Sequence, residues 1–245
     1  MKKILNISLL SLALTPLFGQ AMGIDSMLNT TVNGKTDFTV TSGASYREFI
    51  QVGIAEIKVE NGELVKTPYT RDNINTWSLM VRPARTVIEP KQDKLFQVEH
   101  SPTPVTDSSK DHVYQLSFIP TPYFAEGESV THAVKLALGF APVVIVPAKE
   151  DKPIRYKMQR DGDRLMLKNN GDTYLRVILN SCSRGETESD KCRKVYQVLS
   201  GRNLSIPLSD SMAKAPELKV ELSTHNLDYK QSLILKPRQA SASKE

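Results

Sequence analysis

Apolar residues never settle into helical spacing over a long stretch of this chain; short β-branched and aromatic segments recur instead, cut by Gly, Pro, Asn, Asp and Ser. That punctuation predicts an all-β fold, because each segment is long enough for a strand and too short for a buried helix. In the first half, strands are predicted at Asp37 to Thr41, Tyr46 to Val59, Ser78 to Arg82, Leu95 to Val98, His112 to Ile119 and Thr131 to Val146. In the second half they are predicted at Ile154 to Gln159, Arg164 to Asn169, Thr173 to Asn180, Val195 to Leu199, Asn203 to Pro207, Leu218 to Leu222 and Ser232 to Lys236. Six or seven short strands in each half suit two immunoglobulin-like β-sandwiches.

The break falls at Pro147-Ala148-Lys149-Glu150-Asp151-Lys152-Pro153, an apolar strand ending at one proline and a charged segment running to another. Prolines at both ends make a short, stiff hinge, so the two domains are expected at a fairly fixed angle. The expected domains are residues 22–147 and 148–237, with a small, polar and disordered tail at 238–245. Residues 1–21 read as a signal peptide: Lys2 and Lys3 precede an apolar run from Ile4 to Phe18, and cleavage is expected after Ala21. The run is short and broken by Asn6, Ser8, Ser11 and Pro16, so export without stable membrane insertion is expected.

A formal net charge of +5 is spread along the chain without a block of one sign, which gives no nucleic-acid footprint. The two cysteines, Cys182 and Cys192, enclose a polar stretch containing Gly185. For an exported chain this pair reads as a disulfide closing a loop between neighbouring strands. No catalytic constellation stands out. His100, His112, His132 and His225 fall in separate segments without ligand spacing, so neither metal nor cofactor is expected. Glu186, Glu188 and Asp190 cluster at a loop tip, where no cleft would separate their environments for acid and base roles. GxSxG, P-loop and GxGxxG motifs are absent, and no enzymatic activity is expected.

The segment Thr131 to Ala148 is the most distinctive in the chain. Val134, Leu136, Leu138 and Phe140 alternate with Ala133, Lys135, Ala137 and Gly139, which gives a strand one apolar face and one small or polar face. Pattern alone leaves open whether that face lines the chain's own sandwich or meets something else. Pro142 and the continuous run Val143 to Val146 follow.

The order of the pieces, YREFIQVGIAEI, LMVRPARTVIEPKQDKLFQV, VYQLSFIPTP and then the long strand ending at Pro147, resembles the periplasmic chaperones of chaperone-usher pili. The match includes Val81-Arg82-Pro83 and Ile88-Glu89-Pro90. In the second half, Leu165 to Val177 resembles that family's strand, Asn/Gly turn, strand element. With the downstream cysteine pair, the chain is most similar to the alternate chaperones of colonisation-factor and common-pilus fimbriae. The resemblance implies a periplasmic protein whose partners are fimbrial subunits and an outer-membrane usher. It implies that Val134, Leu136, Leu138 and Phe140 donate a strand to the subunit, a row lying outside the chaperone's own core. The better-known members hold the subunit's terminal carboxylate with an early arginine and a lysine in the long strand. Here no basic residue precedes Lys35 in the early segment, and Pro142 occupies the second position. Arg176, a charge inside an apolar strand, is therefore the first candidate for a carboxylate anchor, and Arg155, just past the hinge, the second. The other reading is a secreted immunoglobulin-like adhesin or surface fimbrial subunit, which would be expected as one domain.

Overall fold

The structure is a computed structural model that describes residues 22–104, 106–124, 138–183, 185, 187 and 189–243. The expected leader, together with Val134 and Leu136, lies outside the described residues. Ten strands build the first half: β1 (Gly23–Ile24), β2 (Leu28–Thr30), β3 (Lys35–Thr41), β4 (Glu48–Glu60), β5 (Glu63–Pro68), β6 (Leu79–Arg82), β7 (Arg85–Ile88), β8 (Asp93–His100), β9 (His112–Pro122) and β10 (Val143–Val146). One sheet runs β1-β3-β8-β6 and the other β2-β10-β9-β4-β5, with β7 on the early part of β4. Alternate residues of both sheets turn inward. Phe38, Phe96 and Phe118 are fully buried between them, and Phe96 meets Phe118 edge-on at 4.9 Å. The Asn61-Gly62 loop joins β4 to β5 in two residues because both adopt positive φ, the geometry that matches strand twist.

The second half contains β11 (Tyr156–Asp161), β12 (Arg164–Asn169), β13 (Leu175–Asn180), β14 (Arg193–Val198), β15 (Asn203–Pro207), α1 (Asp210–Lys214), β16 (Leu218–Ser223), β17 (Lys230–Leu235) and β18 (Ala240–Ala242). Its sheets run β15-β12-β11-β18 and β14-β13-β16-β17, and its core is separate, built on Tyr156, Leu165, Leu167, Leu175, Val177, Leu179 and Leu222 among others. Each such side chain contributes roughly 1.5–3 kcal/mol by leaving water. The two immunoglobulin-like sandwiches of the sequence reading are thus present. Cys182 and Cys192 are bonded to each other and close the loop between β13 and β14.

Two polar side chains inside the second sandwich are structural. The Asn169 amide donates to Thr173 O and Val198 O, both at 2.9 Å, while its oxygen accepts from Gly171 N; this is how the Asn/Gly turn holds its shape. Arg160 is 1 % exposed and its guanidinium donates to four carbonyls, of Met212, Ala213, Ala215 and Leu235, tying α1 to β17.

The expected disordered tail needs correction. Ala240 to Ala242 form β18, paired antiparallel with β11 through Gln159 and Lys157, and Ser243 N donates to Tyr156 O. Small polar composition reports nothing about an open sheet edge, whose unpaired backbone groups can recruit any segment able to lie flat.

Candidate strand-binding edge and inter-domain cleft

At the domain junction the outward face of one sheet of the first sandwich meets Tyr174 and Leu199, which lie at strand ends of the second, just before β13 and just after β14. Val144 and Val146 point into the first core, so Val143 and Ile145 point out, as do Val113 of β9 and Ile57 of β4. Tyr174, next to the inward-facing Leu175, packs against Ile57, Val113 and Ile145 with Leu28, Val143 and Leu199 around it. Its hydroxyl hydrogen-bonds His225 Nδ1 at 2.8 Å. Burial raises the Tyr174 pKa, while a Thr30 hydrogen bond and the charge of Arg176 pull it back.

The linker is held from both sides. Ala148 N donates to Asp111 at 2.8 Å and Lys149 N to Ser108 O, tying it to the first sandwich. Asp151, 8 % exposed, accepts from Thr224 Oγ1 at 2.6 Å and from the backbone N–H groups of Asn226 and Asp228 in the second. On the far side, the β4–β5 turn reaches past the end of β9 onto the second sandwich. Asn203 N and the Arg202 guanidinium both donate to Gly62 O, and Arg202 pairs with Glu63. Gly62 holds a positive φ of 84°, and a Cβ there would displace the Asn203 amide, so glycine suits both the turn and its docking.

Arg176 lies two residues beyond Tyr174 on the same outward face of β13, between Gln197 of β14 and Ser223 of β16. Among the described residues its guanidinium forms no hydrogen bond and no salt bridge. Arg155 differs: it is exposed and already paired with Asp172. Arg176, beside Tyr174 at the junction and without a hydrogen bond or salt bridge among the described residues, is thus better placed than Arg155 to grip a carboxylate in a two-bond fork.

Upstream of β10 the chain still pairs with β9. Phe140 exchanges both backbone hydrogen bonds with Phe118, at 2.8 and 3.1 Å, and Leu116 N donates to Pro142 O. In this register the backbone groups of odd-numbered residues point the other way, and Val143 N indeed donates to Met27 O just ahead of β2. Gly139 and Ala141 lie before β2 begins. Among the described residues, Gly139 N, Gly139 O and Ala141 N have no partner, and Ala141 O accepts only the Gln115 side chain, at 3.3 Å. Here is an open β-edge beside an apolar row.

The two described members of that row differ. Leu138 is 59 % exposed, whereas Phe140 packs against the first sandwich's core. The expectation that the row stands outside the chain's own core therefore fails at Phe140, because its in-register pairing with the inward-facing Phe118 turns both rings to the same side. Gly139 was read only as the small member of the alternation, yet a Cβ there would sit 2.6 Å from Phe118 O. Gly139→Ala is thus expected to push residues 138–140 off β9. Amide exchange at Phe118 and Phe140 should then accelerate on the order of tenfold or more while the second sandwich is unchanged. Unchanged protection of those two amides would show that the close approach is dispensable.

Asp111 and Tyr174 carry the junction and were not singled out from sequence. Three histidines, His100, His112 and His225, line one cleft of about 570 Å³ beside the linker, with His100 and His112 stacked 5.6 Å apart. No group of residues able to hold a metal ion occurs among the described residues, and no described helix is long and apolar enough to cross a membrane.

Comparison with known proteins follows the same division. The family described as "CS5 fimbrial protein N-terminal domain" matches residues 24–147. Among solved structures, the class 5 fimbriae chaperone CfaA is 15% identical with a TM-score of 0.52, over 89% of this chain and 99% of that one. A chain of the CsuC–CsuE chaperone–tip adhesion subunit pre-assembly complex, from archaic chaperone-usher Csu pili of Acinetobacter baumannii, is 14% identical with a TM-score of 0.51, over 89% and 100%. The Salmonella enterica SafA pilin–SafB chaperone complex gives 11% identity and a TM-score of 0.52, over 88% and 97%. No curated protein matches the chain. The likenesses to solved structures establish the two-sandwich fold of fimbrial chaperones.

Proposed function

The chain belongs to the CS5 fimbrial protein N-terminal domain family, and from that premise we propose that it is a periplasmic chaperone that binds fimbrial subunits by donating a β-strand and delivers them to an outer-membrane usher. It is a binding protein and not an enzyme. The observation that carries this reading is the open edge at Gly139 and Ala141, flanked by exposed Leu138 and ending where β2 takes over the same edge. A strand added there would supply the missing backbone partners, while the row's apolar side chains ahead of Phe140, exposed Leu138 among them, fill grooves in the added protein. Arg176, which forms no hydrogen bond or salt bridge among the described residues, suits the carboxylate at the end of such a strand.

Co-expression with a fimbrial subunit tests the reading. Recovery of the subunit in a one-to-one complex from the periplasm is expected, with aggregation of the subunit when the chain is omitted. A chain that instead binds glycans or matrix and leaves the subunit insoluble is an adhesin.

A further inference from the structure

We propose that Asp111 is a positioning residue that latches the two sandwiches at the angle the cleft requires, through one carboxylate that accepts backbone amides from both the linker and the second domain. It deepens the strand-donor reading only in what that angle serves; the latch itself concerns the free protein.

Asp111 immediately precedes β9 in the first sandwich. One of its oxygens takes the N–H of Ala148, the residue after the strand-ending Pro147, and the other takes the N–H of Tyr174, the residue that plugs the junction. The partners are 37 and 63 positions away in the chain. No described cation pairs with the carboxylate. His112, Lys110 and Asp107 neighbour it from its own segment, Asp151 and Lys149 from the linker, and Tyr174 and His225 from the second sandwich, with Arg176 beyond Tyr174. Burial raises its pKa, and Asp151 adds to that, against the pull of the two amides and of His225.

A carboxylate kept there without a counter-ion is costly, so its geometry has to account for it. Two equivalent acceptor oxygens on a short stem can receive two N–H groups that converge from different domains. Asparagine cannot do so, because its NH₂ would face one of the two donors. Nor does Asp111 belong to either hydrophobic core, so the latch can fail while both sandwiches stay folded. The docked β4–β5 turn then acts as a pivot, because Gly62 and Asn203 hold the far side of the junction.

The test uses pairs of spin labels at Lys66→Cys and Ser232→Cys, exposed positions in different sandwiches. The parent should give one narrow distance distribution, and Asp111→Ala should broaden it to about twice the parent width, as a released hinge does. Asp111→Asn, which keeps one acceptor, should fall between them and serves if the alanine variant does not fold. Tyr174→Phe keeps the backbone N–H and should stay narrow. Parent-like widths for both Asp111 variants overturn the latch, whatever happens to subunit binding. If the distribution broadens and recovery of a co-expressed fimbrial subunit also falls about tenfold, the angle serves the cleft. If it broadens and recovery does not fall, the latch stands and the strand-donor reading loses its cleft.

Discussion

Leu138→Ser is expected to weaken subunit capture by about ten- to a hundredfold while leaving the melting temperature of the free protein almost unchanged. Leu138 is mostly exposed in the free chain, so removing it costs the fold less than about 0.5 kcal/mol. Buried in the groove of an incomplete sandwich, the same side chain would be worth roughly 1.5–3 kcal/mol, which converts to that loss in affinity. Phe140→Ser provides the contrast. Its ring packs on the first core as well, so the free protein should lose on the order of 2 kcal/mol, below the 3–5 typical of fully buried aromatics. That loss should appear as a fall in melting temperature of roughly ten degrees for a domain of this size. Melting curves and titrations with a fimbrial subunit separate the two residues. A Leu138→Ser protein that binds like its parent would place the row outside the interface.

Arg176→Ala is the second large effect. A guanidinium that grips a carboxylate in a half-dry cleft contributes about 1.5–3 kcal/mol, so the variant should lose roughly ten- to a hundredfold in subunit affinity. Its stability should hold, since no described hydrogen bond or ion pair is broken. Arg155→Ala is expected to do little, because the exposed Arg155–Asp172 pair is worth about 0–1 kcal/mol. Arg176→Lys should restore only part of the affinity, because an ammonium carries the charge without the planar fork. Equal losses for Arg155→Ala and Arg176→Ala would remove the cleft from the binding site.

Much of this was legible in the residues. Arg164 to Asn169 and Asn203 to Pro207 were read to the residue, because each strand alternates cleanly between turns. Strands β1, β2, β5, β7 and β18 were missed: β1, β2 and β18, at two or three residues, are too short to show a period, while β5 and β7 are exposed over all or part of their length and carry no alternating apolar face to mark them. Arg176 was visible as a charge in an apolar run. Asp111 was not, since nothing local marks an aspartate whose two partners are amides brought to it by folding. The alternation from Val134 to Phe140 specified a face but not its neighbour, and the neighbour differs between Leu138 and Phe140.

The central claim is that the chain adds a strand to its partner along the edge before β2. Site-resolved amide exchange at Gly139 and Ala141, in the free protein and in complex with a fimbrial subunit, tests it most directly. Both N–H groups lack partners among the described residues of the free chain, so both should exchange quickly. In the complex they should become protected by a hundredfold or so, as backbone groups paired in a sheet are. A stable complex in which both amides exchange as fast as in the free protein would contradict the account.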